Sequence, residues 1–343
     1  MTSATQPAVE ANTSPIPSNI FIPRINIKPY EYPHLLKYVD AIRHSYWLSS
    51  EYNYTPDIQD MKVNMTKVEA ATIERTMLAI SQIESAVKSF WGKVGDHIPK
   101  PEVSKVGATF SECEVRHEDA YSELLEKLGL NERFENIKSV PALYDRINYI
   151  SKINTKAKNS PDQKDYFKSI IFFSILIENV SLFSQFFIIM SMNKHKNVLK
   201  GISNAVEATS KEEDLHANFG FDLINIIKEE NPEWWTKELR DYISLKCLKA
   251  FKAEQKVLDW IYQDGDIDCV PRALTEEYIK ERINRSLNAI GIDNLFKDIP
   301  KEAKEDFKWF DDEVMVTKQN DFFQKRSTNY TKRDKVISEE DLF

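Results

Sequence analysis

The sequence contains very little glycine, only 8 of its 343 residues. Folds built from many tight turns, hairpins or phosphate-binding loops depend on glycine, so its scarcity argues against them. The three cysteines, Cys113, Cys247 and Cys269, show no paired CxxC spacing, and their odd number argues against a disulfide framework. A basic excess is also lacking, because 46 Lys and Arg face 54 Asp and Glu, for a net charge of −8. We therefore expect no nucleic-acid partner.

Hydrophobic residues, in contrast, are plentiful at 42%, with 11% aromatics, which is enough for a large core. They recur at helical spacing, and no alternating strand pattern is found. Thr66 is predicted as the N-cap of the first long helix. The predicted helices cover residues 38–47, 65–94, 101–128, 141–153, 161–192, 196–230, 232–263 and 274–290, the first of them short, with a polar loop at 154–160. The sequence thus predicts an all-α fold of long helices.

Composition divides the chain into three parts. Residues 1–18 are rich in Thr, Ser, Ala, Pro and Asn, without the basic start or apolar centre of a signal peptide, and are predicted to be a disordered tail. Residues 19–320 are predicted to form a single helical domain. Residues 321–343 are charged, contain one tyrosine and end in an acidic run closed by two apolar residues, so we predict a flexible C-terminal tail. The free thiols and the lack of a signal peptide predict a cytoplasmic location.

Residues 170–192 form the longest apolar stretch, with Glu178 as the only formal charge near its middle. A transmembrane helix is one alternative, since about 20 apolar residues can span a bilayer. Asn179, Gln185 and four serines in the stretch argue against it, and the centre of a large helical bundle also requires a helix that is apolar all round. We therefore expect a soluble bundle and no membrane partner. A buried carboxylate at Glu178 must then be paired, protonated or bound to a metal ion.

Two predicted helices carry a Glu-x-x-His motif, and residues three apart on a helix point in similar directions. One motif alone is weak, because acidic residues are common in this chain. The full set in chain order is stronger, since it reads Glu, Glu-x-x-His, Glu, Glu-x-x-His on four separate helices. These residues are Glu84, Glu114, His117, Glu178, Glu213 and His216. The order matches the di-metal carboxylate sites of ferritin-like bundles, with oxygen-rich ligands suited to two ions of Fe or Mn.

At this point the chain resembles a known family, the radical-generating small subunit of class I ribonucleotide reductase, from about Pro33 to the C-terminus. The segment SECEVRHEDAY places Tyr121 one turn after His117, at the position of the family's radical tyrosine. The segment HSYWLSSEYNY matches the family's electron-path tryptophan, here Trp47. In KEEDLH, Glu212 precedes the ligand Glu213 and matches the family's relay acid. The six metal-site residues match the family's ligands.

The resemblance implies a fold, an activity and partners. The fold is a ferritin-like bundle with extra flanking helices, and the chain forms a homodimer. The di-metal site activates an oxygen species and stores a one-electron oxidant, which passes by way of Trp47 and Tyr330 to a large catalytic subunit. The C-terminal tail docks into that subunit, which converts ribonucleotides to deoxyribonucleotides. The chain is thus predicted to be part of ribonucleoside-diphosphate reductase, an oxidoreductase of DNA replication.

Two residues depart from the most familiar pattern of the family. Glu84 stands where Asp is common, and Glu at this position resembles subgroups that use manganese, either with iron or as a dimanganese site. In some of these the metal ions hold the oxidant, so Tyr121 and the metal pair are both retained as its location. Glu212 stands where the relay acid is usually Asp.

Three alternatives to this function remain at this stage. A ferritin-like di-metal oxidase or an acyl-carrier desaturase could share the ligand set, although neither Tyr121 nor the tail would be expected in a desaturase. An iron-storage ferritin is disfavoured, because its bundle needs about half of this length. In a non-enzymatic helical scaffold, the Glu and His positions would be coincidental.

Overall fold

The structure is a computed structural model that describes residues 19–314. Within that range the chain folds into helices joined by short connections, and no β-strand is present. The helices are α1 (Lys37–His44), α2 (Thr55–Gln59), α3 (Lys67–Gly92), α4 (Val94–His97), α5 (Pro101–Lys127), α6 (Asn131–Glu135), α7 (Pro141–Lys158), α8 (Gln163–Phe172), α9 (Phe183–Lys196), α10 (Lys200–Glu230), α11 (Lys237–Ile261), α12 (Arg272–Ala289) and α13 (Lys301–Val314). The all-α prediction is confirmed.

Shorter helical pieces connect these elements. Two stretches are π-helical, Asp60–Asn64 and Phe173–Ser181, and we call the second the π segment. Turns of 3-10 helix cover Pro33–Leu36, Ser49–Glu51, Ile137–Ser139 and Pro232–Trp234. The π segment joins α8 to α9, so residues 163–196 form one nearly continuous helical run.

The ends of the two longest early helices follow directly from their sequences. At the start of α3, the Glu69 backbone N–H donates to Thr66 Oγ1 over 3.2 Å, while the Thr66 N–H donates to Glu69 Oε2 over 2.8 Å. This reciprocal capping box satisfies two N–H groups that a helix start leaves without partners. Helix α5 begins with Pro101 at its first position and is followed by Gly129 at a φ of +68°, a conformation that favours glycine.

The apolar run of residues 163–196 occupies the centre of the bundle. By length and composition alone this run could cross a membrane. Its most apolar stretch of 18 residues, however, is entirely buried inside the protein. Helix α10 packs against both the π segment and α9, and α3 lies along α5. Phe110, Phe173 and Phe219 are fully buried among these elements. The run is therefore the core helix of a folded bundle, as its apolar character predicts.

Three parts of the helix prediction were wrong. The loop predicted at residues 154–160 is mostly helix, because α7 continues to Lys158 with its Lys and Thr side chains on an exposed face. The helix predicted from Pro232 begins only at Lys237, where Thr236 caps it after a 3-10 turn. Helices α2, α6 and α13 had no predicted counterpart, since α2 and α6 have only five residues each and the apolar residues of α13 are few and spaced among charges.

The start of α10 is held by an acidic side chain from α2. Asp57 is fully buried, and its Oδ1 and Oδ2 each accept a backbone N–H, from Gly201 and Ile202 respectively, at 3.0 Å. A Cβ at Gly201 would lie 2.4 Å from the Asn53 carbonyl oxygen and 2.4 Å from Asp57 Oδ2, so this close approach requires glycine. Asp57 therefore fixes the register of the helix that carries Glu213 and His216.

We predict that Asp57→Ala lowers the free energy of unfolding by about 1–3 kcal/mol, because two backbone N–H groups at a buried helix start lose their acceptor. Asp57→Asn retains one acceptor oxygen and is expected to cost less than the alanine variant. Urea unfolding followed by circular dichroism measures both changes. Equal stability of Asp57→Ala and the wild type would contradict the capping role.

Candidate metal centre

The six side chains that the sequence predicted as metal ligands meet in the middle of the bundle. Every one of them is at most 1% exposed. They fall into two overlapping groups, the first with Glu84, Glu114, His117 and Glu213, and the second with Glu114, Glu178, Glu213 and His216. Within each group, one ligand atom per residue lies within 4.8 Å of all the others. Glu114 and Glu213 belong to both groups, so two neighbouring positions share two carboxylates.

Four helical elements present these side chains to the same point. Glu84 lies on α3 and Glu178 on the π segment, while α5 and α10 each contribute a Glu and a His three residues apart. Because residues three apart on a helix are neighbours on one face, each Glu-x-x-His pair enters the centre together. The prediction that four separate helices carry the set agrees with this arrangement.

Both imidazoles direct Nδ1 into the centre. His117 Nδ1 lies 2.9 Å from Glu213 Oε1 and 3.6 Å from Glu114 Oε2. His216 Nδ1 lies 3.1 Å from Glu114 Oε1 and 3.2 Å from Glu213 Oε2. Each Nδ1 atom thus faces carboxylate oxygens from two helices. Imidazole nitrogens and carboxylate oxygens placed together in this way are suitable ligands for a metal cation.

Most of these polar atoms are buried and have no hydrogen-bond partner among the side chains that the structure describes. The close pairs around the two Nδ1 atoms do not have hydrogen-bond geometry. The buried atoms without a partner are both carboxylate oxygens of Glu84, Glu114 and Glu213, Oε2 of Glu178, Nδ1 of His117, and both ring nitrogens of His216. Leaving so many buried polar atoms unpaired is costly, and such clusters are normally satisfied by a ligand or an ion.

The buried carboxylates and imidazoles of the centre shift one another's pKa. Burial raises the pKa of Glu84 to about 8, and burial together with the charge of Glu213 raises the pKa of Glu178 well above its usual range. Burial opposes protonation of the two imidazoles, yet the surrounding carboxylates raise the pKa of His117 and of His216 well above the ordinary value. Carboxylates crowded in a dry pocket require protons or cations to balance them.

The donor set fits a pair of divalent metal ions. Four carboxylates and two imidazoles balance the charge of two divalent cations, and each group provides three carboxylates and one imidazole. Oxygen-rich groups with one histidine each suit Fe or Mn, whereas zinc sites usually have more His or Cys. The centre can therefore hold two metal ions.

Glu212, the predicted relay residue at a position where the family usually has Asp, lies between the centre and Trp47. Trp47 Nε1 donates to Glu212 Oε2 over 3.0 Å, and the same oxygen lies 2.8 Å from His117 Nε2. The rings of Trp47 and His117 are stacked, with their centroids 6.0 Å apart. All three side chains are at most 2% exposed. The longer side chain of Glu212 thus still reaches both neighbours.

Arg116 is a member of this link that the sequence analysis missed. Its NH2 donates to Glu212 Oε1 over 3.1 Å, and its NH1 donates to Glu212 Oε2 over 3.2 Å and to the Trp47 carbonyl oxygen over 3.3 Å. The guanidinium therefore orients the Glu212 carboxylate through hydrogen bonds to both of its oxygens. The sequence did contain a signal for this role. Arg116 is a positively charged residue directly before the candidate ligand His117, on a predicted helix.

Trp91 is a second missed neighbour of the centre. It is fully buried, and its Nε1 donates to Glu178 Oε1 over 2.6 Å. Trp91 follows Glu84 by seven residues on α3, which is two helical turns and the same face. That spacing was a signal in the sequence for a side chain close to the ligands.

Tyr121 lies on α5 one turn beyond His117, as predicted, and is 2% exposed. Its hydroxyl has no hydrogen-bond partner among the side chains that the structure describes. Burial raises the pKa of Tyr121 well above its usual range, and the nearby carboxylate of Glu84 adds to the effect. The phenol is therefore neutral, shielded from water and close to the centre. Tyr330 and both predicted tails lie outside the described residues.

A bundle of long helices with two overlapping groups of carboxylates and imidazoles at its centre defines the class of di-metal carboxylate proteins. Within this class, the chain belongs to the ribonucleotide reductase small-chain family. The family model "Ribonucleotide reductase, small chain" matches residues 24–305. The family predicted from the motifs is confirmed.

Curated relatives span most of the chain. It is 26% identical to the ribonucleoside-diphosphate reductase subunit beta of Chlamydia pneumoniae over 303 residues, which cover 83% of each chain. It is 21% identical to a probable ribonucleoside-diphosphate reductase small subunit of Invertebrate iridescent virus 3, covering 90% of this chain and 85% of the relative.

Solved structures share the fold at lower identity. The ribonucleotide reductase R2 subunit from Clostridium botulinum matches with a TM-score of 0.74 and 19% identity, over 83% of this chain and 89% of that one. Dimanganese(II)-NrdF from Streptococcus sanguinis matches with a TM-score of 0.70 and 15% identity, over 83% of this chain and 99% of that one. An R2-like ligand-binding oxidase with an Mn/Fe cofactor matches with a TM-score of 0.66 and 16% identity, over 76% and 94%. The predicted ferritin-like fold is confirmed.

Proposed function

We propose that this chain is the radical-generating small subunit of a class I ribonucleoside-diphosphate reductase. In this function it supplies a one-electron oxidant to a large catalytic subunit, which reduces ribonucleotides to deoxyribonucleotides. The observation that carries the proposal is the pair of buried, overlapping ligand groups with unpartnered oxygens and nitrogens. Membership of the small-chain family supports the same function.

The metal ligands in this proposal are the six buried side chains of the two groups, Glu84, Glu114, His117, Glu178, Glu213 and His216. When two ions of Fe, Mn or one of each are bound, they supply the capacity to activate an oxygen species and withdraw one electron. Relatives in fold with dimanganese and Mn/Fe centres support this choice of metals. Aromatic side chains keep water away from the centre. The ring centroids of Phe110 and His216 are 4.1 Å apart, and Trp91 is fully buried.

Tyr121 and the metal pair are the two proposed locations of the stored oxidant. The buried phenol of Tyr121 would lose an electron and a proton to become a neutral radical, and its water-poor surroundings would protect it. Glu84, in place of the commoner Asp, favours a manganese-containing site in which the metals hold the oxidant. Tyr121→Phe separates the two locations: loss of deoxynucleotide formation with metal content unchanged assigns the oxidant to Tyr121, and retained activity assigns it to the metals.

Glu212, Trp47 and His117 form the inner part of the proposed route out of the centre. The two hydrogen bonds to Glu212 Oε2 join His117, whose Nδ1 faces the metal positions, to the indole of Trp47. The carboxylate can hold the indole N–H while an electron moves through the stacked rings. Tyr330 in the C-terminal tail is the proposed next relay toward the large subunit. We further propose a cytoplasmic homodimer whose tails dock into that subunit.

Reconstitution with the large subunit tests the proposed function. The metal-loaded chain, the large subunit of the same organism and a thiol reductant are expected to form deoxynucleotide. Removing about 15 C-terminal residues is expected to abolish this activity while leaving metal content unchanged, because docking is lost and the centre is not. A truncated chain with full activity would contradict the role of the tail. A metal-loaded full-length chain without any reductase activity would instead favour a ferritin-like oxidase.

A further inference from the structure

Arg282 is a fully buried cation that lies behind the candidate metal centre and has no part in the proposed ligand set. It is located on α12, and only 1% of the residue is exposed. Its guanidinium carbon lies 3.6 Å from the centre of the Phe183 ring, just beyond the π segment. A buried charge is costly unless its hydrogen-bonding groups are satisfied, so its partners show what it holds in place.

The first partner of Arg282 is the residue that follows Glu178. Arg282 Nε donates to the backbone carbonyl oxygen of Asn179 over 3.0 Å, and its NH2 donates to the Asn179 side-chain oxygen. The Asn179 amide donates in turn to the hydroxyl of Ser286 on α12. Arg282 thus holds both the main chain and the side chain of the π segment immediately beside a candidate ligand.

The second partner of Arg282 is the residue that follows Glu213. Its NH2 lies 3.8 Å from Asp214 Oδ1 on α10, and Asp214 is 3% exposed. The other oxygen of Asp214 accepts from the Asn218 amide over 2.8 Å. One guanidinium therefore contacts the two positions directly after two ligands of the second group, on two different helical elements.

Glu178 and Glu213 reach the same ligand group from two different helical elements. One carboxylate oxygen of each lies within 4.8 Å of the other, so their separation depends on how the π segment and α10 are held together. The π segment is wider than an α-helix, and π-helical turns are rare and frequently lie at functional sites. On its other flank, Ser181 Oγ donates to the Leu176 carbonyl oxygen over 2.7 Å and to Glu254 Oε1 over 3.0 Å.

We propose that Arg282 is a positioning residue of the metal centre: it holds Asn179 and Asp214 together and thereby sets the separation of Glu178 and Glu213. This inference rests on the proposed two-metal function. The second group contains both of these ligands and the first group contains only Glu213. Loss of Arg282 is therefore expected to lower the metal affinity of the second group much more than that of the first group.

Titration of the full-length chain with Mn(II), followed by electron paramagnetic resonance and calorimetry, tests this role. We expect Arg282→Met and Arg282→Lys to bind one Mn(II) nearly as the wild type does and the second about 10–100-fold more weakly. Lys keeps the positive charge but cannot reach Asn179 and Asp214 together, so its weak second site separates positioning from charge. The bound Mn(II) is expected to give the signal of an isolated ion rather than that of two coupled ions.

Arg285→Met is the matched control, because Arg285 is on the same helix and its guanidinium pairs with Glu281 at 3.1 Å and with Asp311 at 2.5 Å, away from the centre. It is expected to bind two Mn(II) ions like the wild type. If Arg282→Met does not fold, Asp214→Asn serves in its place. It removes the ion pair between Arg282 and α10 with little change in side-chain shape, and it is expected to lower the metal affinity of the same second group.

Two results would overturn the positioning role. One is unchanged affinity for both ions in the Arg282 and Asp214 variants, and the other is an equal loss of both ions that follows a fall in melting temperature. A wild-type chain that does not bind two Mn(II) ions would contradict the proposed metal centre itself, so the two failures are distinguishable.

Discussion

Replacing Glu114 by alanine is expected to lower the metal content of the loaded protein from two ions per chain to less than about one. Glu114 belongs to both ligand groups, so each position loses one of its three carboxylates. The side chains left behind include two imidazoles whose Nδ1 atoms face the centre, and a smaller negative charge would hold two divalent cations poorly. Elemental analysis after loading with Fe(II) or Mn(II) and desalting measures the change.

Glu126→Ala is the matched control for this substitution. Glu126 lies on α5 like Glu114, but it is exposed on the surface of the helix. The control variant is expected to retain two metal ions per chain. If Glu114→Ala bound two ions as well as the control does, the assignment of the shared carboxylates would be wrong.

Replacing Trp47 by phenylalanine is expected to reduce deoxynucleotide formation to the background of the large subunit alone. The indole N–H that donates to Glu212 over 3.0 Å is lost, and the phenyl ring is far harder to oxidise than indole. The metal content should stay at two ions, because Trp47 belongs to neither ligand group. Activity with the large subunit and elemental analysis of the same preparation measure the two effects together.

Trp309→Phe controls for the loss of an indole elsewhere in the protein. Trp309 lies on α13 and packs against Phe187 and His195 of α9, and it belongs to neither ligand group. Its variant is expected to keep full activity. Substantial activity of Trp47→Phe, or an equal loss in both variants, would contradict the route through Glu212.

Local sequence patterns predicted the long helices and the set of residues that meets at the centre. The Glu-x-x-His spacing is meaningful because three residues on an α-helix bring both side chains to one face, and α5 and α10 are regular there. Thr66 was predictable as a cap because its capping box is formed within four residues of sequence. The metal-binding roles of the six residues and the relay role of Glu212 stay predictions.

Features that depend on register or on distant contacts could not be predicted. The π segment differs from an α-helix in its backbone hydrogen bonds, which span five residues in place of four. This difference leaves composition and apolar character unchanged, so the helical pattern of the sequence did not reveal it. Arg282 and Asn179 are 103 residues apart in the sequence, and their contact exists only in the folded bundle. The helical end of α7 was misread as a loop because its polar side chains cover an exposed surface.

The metal content of the purified, full-length chain tests the central claim most directly. After loading with Fe(II) and Mn(II) and removal of unbound metal, the account predicts two ions per chain, held by the six buried ligands. Electron paramagnetic resonance on the same sample is expected to show that the two ions are coupled. A content below about half an ion per chain in a correctly folded sample would contradict every function that depends on this centre.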